Sequence, residues 1–449
     1  MSQRQSVRRA QCCPYLFPCG SSRPAVSWAC AMATVWSARD REWHVDGTSG
    51  HRSWRSRRIS ASHQGGRGLG GVIPAHDASG LSDLLTNHYS VYELGAIERR
   101  AFPTGPESVR HVATNGLRLL WIGTKPVIVL ALEVEDGPSD THKIVVEVMC
   151  ENHELARETL ASIDQSVRTN SVIDGQVVSF LPGEFGSEAF SIEFHPRPHV
   201  EAQDVVLPKG RLEKIEATVL GISEKADRLR AAGQHLSRGV LLYGPPGTGK
   251  TLTIRYLLSQ ARDTTAILLQ GEALSKIRAT ASAAQAIGRA IIVLEDADLV
   301  AEDRDFNEGE CSVLFEILDV LDELGDDADI TFVLTTNRVD VLEEAIAKRP
   351  GRIDLAVEVP LPSTKLRRRL FAVYGNDFAF TEEGIAKAAK AAEGTSGSFA
   401  KEAVRRAVIL AIEAGEDPRD NHLLEAVAAL TAEATQLREA MTSDEGWDE

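Results

Sequence analysis

The chain has 449 residues, 43% hydrophobic and 25% charged, the proportions of a globular protein of about two to four domains rather than a collagen-like, coiled-coil or wholly disordered chain. Its formal net charge of −16 repels a phosphate backbone unless a local basic face overrides it, so nucleic acid is not an expected partner. The apolar run at 127–132 is far shorter than the roughly 20 residues that cross a bilayer, and no membrane span is expected.

Residues 1–76 hold eleven Arg, no Lys and only Asp40, Glu42 and Asp46 as acids, a net +8 against −24 for the remainder. Four of the six Cys (Cys12, Cys13, Cys19, Cys30) fall here without a Cys-x-x-Cys or a finger-like His pair, and no helical or strand period is visible. Pro14, Pro18 and Pro24 interrupt any signal-peptide apolar core. Residues 1–80 are therefore expected to be a disordered basic leader, or an over-extended start with Met32 as a later candidate, in preference to a nucleic-acid or membrane arm. Cys150 and Cys311 lie in apolar contexts and fit reduced core thiols of a cytoplasmic protein.

Residues 81–200 have the texture of a smaller α+β domain. Strands are expected at 117–122, 127–133, 143–149, 177–181 and 190–194, with a helix carrying Leu155, Leu160 and Ile163 on one face. His195-Pro-Arg-Pro198 closes the region as a stiff linker. Its histidines, His142, His153, His195 and His199, are scattered and form no catalytic constellation. The domain is left the task of choosing a protein partner.

The signals sharpen over 201–362. A helix carrying Leu212, Ile215, Val219 and Ile222 leads into a buried strand at 239–243, then Gly244-Pro-Pro-Gly-Thr-Gly-Lys-Thr251, then a helix from Leu252 to residue 260. Strand, glycine-rich loop and helix are the setting in which a phosphate-loop pattern has a mechanism. Gly244, Pro245, Pro246, Gly247, Thr248 and Gly249 let backbone N–H groups converge on phosphates, and the helix opening at Leu252 adds its dipole. Lys250 supplies a mobile charge for the β and γ phosphates, and Thr251 offers a hydroxyl to Mg²⁺. The expected ligands are thus ATP and Mg²⁺.

A continuous apolar strand at 290–294 ends in Glu295-Asp296-Ala-Asp298. Carboxylates at the C-terminal edge of a buried parallel strand stand beside a phosphate loop, where one can hold the metal and another can orient water. A third strand, 330–334, ends in Thr335-Thr336-Asn337, whose neutral amide could polarise both the γ-phosphate and the water. Beyond Lys348-Arg349-Pro350-Gly351-Arg352 comes a strand at 355–359. From 363 to 435 the pattern is helical, with apolar positions including Leu366, Leu370, Val404, Ile412, Leu423 and Val427, and an acidic tail fills 436–449. The fold class expected is α/β: a P-loop NTPase parallel sheet with a C-terminal helical lid, preceded by the smaller α+β domain and the leader.

GPPGTGKT (244–251), VLEDAD (293–298), TTNRVDVLEEAIAKRPGRID (335–354) and EGTSGSFAKEA (393–403) resemble an AAA+ ATPase, of the branch that includes katanin, spastin and the proteasomal ATPases. The resemblance covers about residues 205–415 and is that of a single-module, bacterial-type member with an N-terminal α+β domain. It implies a Mg-dependent ATPase that remodels protein partners as a homo-oligomeric, usually hexameric, ring with ATP between subunits. By the same resemblance Asn337 matches the first sensor, and Arg349 and Arg352 match arginine fingers reaching a neighbour's γ-phosphate.

Three departures from that family are visible. The acidic strand end runs Glu295 then Asp296 where the family has Asp then Glu, so Glu295 stands on the metal side with Thr251 and the shorter Asp296 on the water side; slow hydrolysis, compensation by Asp298 or a shifted register follows as the set of alternatives. The aromatic, aliphatic, glycine trio that grips substrate in the pore is absent, and Leu274, Lys276 and Ile277 occupy the nearest place. Ser398 stands where other branches carry a second-sensor arginine. A weakly hydrolysing, nucleotide-gated scaffold is the alternative function.

Overall fold

The computed structural model describes residues 6–10, 67–73, 81, 93–95, 98–135, 142–182, 190–296, 319–320, 328–338 and 353–444. The chain divides into two compact units, residues 1–196 together with 282–287, and residues 197–281 together with 288–449. Among the described residues no helix is long and apolar enough to cross a membrane.

The N-terminal unit is built on an antiparallel sheet of β1 (Ser6–Ala10), β2 (Arg67–Ile73), β3 (Glu93–Gly95), β4 (Glu98–Pro103), β5 (Val109–Ile122), β6 (Lys125–Glu135) and β7 (His142–Cys150). Its order is β1-β7-β6-β5-β2-β3, with β4 also paired to β5. The period-2 pattern of β6 and β7 places Val127, Val129, Ala131, Val146, Val148 and Cys150 on one face. Helix α1 (His153–Thr169) covers that face with Leu155 and Ala156, and starts where Asn152 accepts from the Leu155 N–H. Strands β8 (Val177–Pro182) and β9 (Phe190–His195) form an antiparallel hairpin.

Two segments correct the reading of 1–80 as a stretch without elements. Ser6–Ala10 pairs with β7 and Arg67–Ile73 pairs with β5. Pairing at a sheet edge is satisfied by backbone groups alone, and the glycines of Arg-Gly-Leu-Gly-Gly-Val-Ile hide the alternation that would have marked a strand. The rest of the leader, most of 74–92 and Cys311 lie outside the described residues.

The second unit begins with helices α2 (Arg211–Val219) and α3 (Ala226–Ala231) and continues as strand β10 (Arg238–Tyr243), helix α4 (Lys250–Gln260), β11 (Thr265–Leu269), the first half of α5 (Ile277–Ile287), β12 (Ala290–Leu294), β13 (Ile330–Thr336) and β14 (Leu355–Glu358). Within the unit these strands pair in the order β14-β10-β13-β12-β11, every pair parallel. Every residue of β12 and β13 is buried, which is why they read as unbroken apolar runs. Strands β10 and β13 are neighbours, yet β10 is followed in the chain by β11 at one edge of this set and β13 by β14 at the other. The crevice beyond their C-terminal ends is therefore the topological switch point, where open α/β sheets bind ligands.

At the opposite end of the sheet a buried ion cluster fixes the strand starts. Arg238 bonds Asp329 Oδ1 at 2.8 Å, Arg289 Nε bonds the other carboxylate oxygen at 3.1 Å, and Ser223 Oγ donates to Asp329 at 2.8 Å. The Arg238 guanidinium also donates to the Thr218, Val219 and Leu236 carbonyls, so its N–H groups are well satisfied despite burial.

The helical part comprises α6 (Thr364–Tyr374), α7 (Glu382–Ala391), α8 (Gly397–Ala414) and α9 (Asp420–Asp444). Ser363, Thr381 and Ser396 cap α6, α7 and α8 with their hydroxyls. A core of Phe371, Ala388, Ala403, Val404, Leu423 and Val427 joins them, the alanines allowing close approach. Two expectations change here. Helix α9 runs through 436–444, which the sequence reading gave to an acidic tail, and Ile412 is 70% exposed rather than part of the core face.

Candidate nucleotide site

The phosphate-loop sequence leaves β10 at the switch point and re-enters helix as α4 at Lys250. Its apex, 245–247, faces solvent, whereas Lys250 is buried. Gly244, at φ +139, passes so close to β14 that a Cβ would lie 2.3 Å from the Val359 carbonyl oxygen. Gly247, at φ +72, faces the lid: a Cβ there would lie 2.2 Å from Ser398 Oγ. These two glycines are required by left-handed backbone and by close approach at once. Thr248 Oγ1 donates to the Pro245 carbonyl at 2.8 Å and braces the loop from within.

Lys250 Nζ donates to the carbonyls of Gly244 (2.7 Å) and Pro245 (3.0 Å) and to Oδ1 of Asn337 (2.8 Å). Asn337 in turn donates from Nδ2 to Asp296 Oδ1 at 3.3 Å. A chain of hydrogen bonds thus joins the tips of β10, β13 and β12. A turn in which the Arg338 N–H donates to Thr336 Oγ1 at 3.0 Å projects Asn337. The Asp296 N–H donates to Thr335 Oγ1 at 3.0 Å, and Asp296 takes φ +50, a non-glycine residue in the left-handed region at the centre of the site.

Glu295 points to the other side of the strand end. Gln270 Nε2, at the tip of β11, donates to Glu295 Oε2 at 2.8 Å, and the Thr251 hydroxyl also hydrogen-bonds this carboxylate. Burial lifts the Glu295 carboxyl above the usual carboxylate range, and Asp296 adds to the effect; Gln270, Arg255 and Thr251 pull against it. A hydroxyl and a carboxylate side by side at the first turn of α4 are hard oxygen donors of the kind Mg²⁺ takes. A buried cation and a glycine loop whose helix has no acidic residue in its first turn suit phosphate. The donor set fits a magnesium nucleotide.

The lid meets the loop directly. The Ser398 N–H donates to the Gly247 carbonyl at 3.0 Å, Ser396 and Ser398 share a 2.8 Å hydroxyl contact, and Gly397 packs on Leu370. The structure therefore brings Gly244, Pro245, Pro246, Gly247, Thr248, Gly249, Lys250, Thr251, Leu252, Glu295, Asp296 and Asn337 to one end of one sheet. Asp298, Arg349 and Arg352 lie outside the described residues. Leu274 and Ile277, the nearest counterparts of a pore grip, are both fully buried, so these two side chains are core rather than substrate contacts. Gln270 was not anticipated; like Thr335 of the triplet 335–337 it is a polar residue at a parallel strand's C-terminal tip, the same signal that marked Glu295 and Asn337.

A parallel sheet with a glycine loop at its switch point, an acidic neighbouring strand end and a helical lid defines a P-loop nucleotide-binding unit. Residues 240–361 match the model of the ATPase family associated with various cellular activities (AAA), and the chain carries an AAA ATPase domain there. It is homologous to the proteasome-activating nucleotidase of Methanopyrus kandleri, 30% identical over 256 residues, covering 54% of this chain and 58% of that protein. The 26S protease regulatory subunit 6A of Caenorhabditis elegans is 32% identical over 212 residues, covering 44% and 49%. The proteasome-activating nucleotidase of Archaeoglobus fulgidus is 29% identical over 250 residues, covering 53% and 63%. The chain thus spans about half to three fifths of the length of these curated relatives.

Proposed function

We propose that this chain is an ATP-hydrolysing AAA+ protein that remodels protein partners as an oligomeric ring. The observation that carries the reading is the hydrogen-bonded line Lys250–Asn337–Asp296, which connects phosphate loop, sensor position and acidic strand end in one site. In this reading Lys250 exchanges its loop carbonyls for phosphate oxygens, and Asn337, released from Lys250, orients the attacking water. Asp296 accepts the water's proton, its strained backbone fixing where the short carboxylate points. Thr251 and Glu295 are the residues that would hold Mg²⁺. When bound there the cation neutralises charge on the phosphates.

Arg349 and Arg352 are assigned the trans-acting role, supported by their position just before β14 in a sequence that resembles the family's finger segment. The region 81–200 is assigned partner choice. A second reading, a nucleotide-gated scaffold that hydrolyses slowly, is favoured by Asp296 being one methylene shorter than glutamate and by the burial of Leu274 and Ile277.

One mixing experiment separates the two. Arg349→Ala and Arg352→Ala should bind nucleotide normally yet lose turnover, by about 10³-fold if they act as fingers in related systems do. Mixing either with Lys250→Ala should restore activity, because some interfaces then pair an intact loop with an intact arginine. Normal turnover in both arginine variants would refute the ring.

A further inference from the structure

Helix α4 carries Lys250 and Thr251 at its N-terminus, so the phosphate loop is only as well placed as this helix is. Its C-terminal end has an unusual anchorage. The last turn contains no basic residue and its C-cap is Ala261, not a glycine that would fold the chain back onto the terminal carbonyls. The Ala261, Arg262 and Thr264 N–H groups reach the Leu257, Gln260 and Ala261 carbonyls, and a distant side chain adds its donors to this end. Arg197 donates from Nη1 to the carbonyls of Leu258 (2.6 Å) and Ala261 (3.0 Å), and from Nη2 to that of Thr264 (2.9 Å).

The backbone that presents Arg197 is itself constrained. Pro196 and Pro198 flank it; a residue before proline is held extended and each proline fixes its own φ. The segment that follows adds two more ties to the same helix. Ser259 Oγ donates to the Val200 carbonyl at 2.9 Å, and the Tyr256 hydroxyl bonds Glu216 of α2. A helix of 11 residues is about 16 Å long and axially stiff, so a shift at its C-terminus reaches Lys250 and Thr251 undiminished.

We infer that Arg197 is a positioning residue for the nucleotide site: its guanidinium, fixed at the end of the Pro-Arg-Pro linker, sets the axial position of α4 and thereby of the phosphate loop. A cation on a helix C-terminus is also electrostatically favourable, but lysine would supply that as well. What lysine lacks is the planar fork that spans three carbonyls at once. Because residue 197 directly follows the N-terminal unit in the chain, strain on the linker would be felt at the phosphates. The inference rests on the nucleotide reading of the loop.

The test uses the full chain and calorimetry with ATP and Mg²⁺, well below the melting temperature of each variant. Arg197→Ala should weaken ATP binding by about tenfold, within the range by which coupled residues away from a ligand act. Arg197→Lys should lose about threefold, and millimolar guanidinium ion should restore the alanine variant, which a merely structural defect would not allow. ATP affinity within about twofold of wild type in the alanine variant, with only its melting temperature lowered, overturns the inference, as does a loss that guanidinium leaves untouched. Should the alanine variant fail to fold, Arg197→Lys alone decides: wild-type affinity overturns the inference and a threefold loss sustains it. If the wild-type chain itself binds no ATP, the nucleotide reading falls and this inference with it; binding by wild type and variants alike removes only the inference.

Discussion

Gly247→Ala should disable the site through the loop backbone and the lid together. A Cβ at residue 247 has two costs that the structure separates. The backbone stands at φ +72, where an L-residue is disfavoured by roughly 1–2 kcal/mol. The new methyl would also lie 2.2 Å from Ser398 Oγ, 3.0 Å from Ser396 Oγ and 3.1 Å from Ser398 Cβ, so the Ser398 hydroxyl must swing away and the N-terminus of α8 must give by roughly a few tenths of an ångström, which strains the 3.0 Å bond from the Ser398 N–H to the Gly247 carbonyl. Weakening that bond adds up to about 0.5–1.5 kcal/mol. Together these give roughly 1.5–3.5 kcal/mol, or about 10- to 400-fold in a binding equilibrium that needs the lid seated on the loop. Calorimetric ATP affinity measures it. The double variant Gly247→Ala/Ser398→Gly removes the clashing side chain and should recover the steric share while leaving the backbone share. Wild-type affinity in the single variant, or a double variant no better than the single, would refute the claim that lid and loop are in contact when nucleotide is bound.

Two further outcomes concern stability. Asp329→Ala leaves Arg238, whose side chain is 2% exposed, without its charge partner, and should destabilise the nucleotide-binding unit by about 3–5 kcal/mol in urea unfolding; a change below 1 kcal/mol would contradict a role for the cluster in fixing the strand starts. Glu402, on the solvent side of α8, is drawn down to about 2 by hydrogen bonds from Arg405 and Arg406. A carboxylate lowered on folding contributes stability above its ordinary pKa and loses it as pH falls toward about 2, so Glu402→Gln should cost at most about 1 kcal/mol at pH 7 and nothing near pH 2. A cost that persists at the acid end would show that the side chain acts through packing instead.

The nucleotide-binding half was legible because its signals are local. Buried parallel strands read as apolar runs, so 290–294 coincides with β12 residue for residue, and the glycine loop, Glu295, Asp296 and Asn337 were placed by standing at strand ends. What escaped was set by distant partners. Ser6–Ala10 becomes a strand only because β7 offers it an edge. Arg197 gains a role only from carbonyls 61 to 67 residues away, and nothing in His-Pro-Arg-Pro announces them. Leu274 and Ile277 were weighed as surface residues by homologous position, yet the turn 271–276 carries both inward. Ile412 shows the reverse: it is one of the apolar positions of the helical pattern, but Ala407 and Ala411 carry the buried face of α8 and residue 412 turns to solvent. The α5 helix of 277–287 was missed although Ile277, Thr280, Ala281 and Ala284 stand at helical spacing and are buried.

The measurement closest to the central claim is ATP binding and Mg²⁺-dependent phosphate release by the same preparation of Asp296→Asn. The amide keeps the shape and the hydrogen bond with Asn337 while removing the base, so the account predicts near-normal ATP affinity with turnover abolished, against Glu295→Gln, in which Mg²⁺ dependence should weaken first. Wild-type turnover in Asp296→Asn, with turnover lost instead in Glu295→Gln, would contradict the assignment of water-side and metal-side carboxylates on which the account rests.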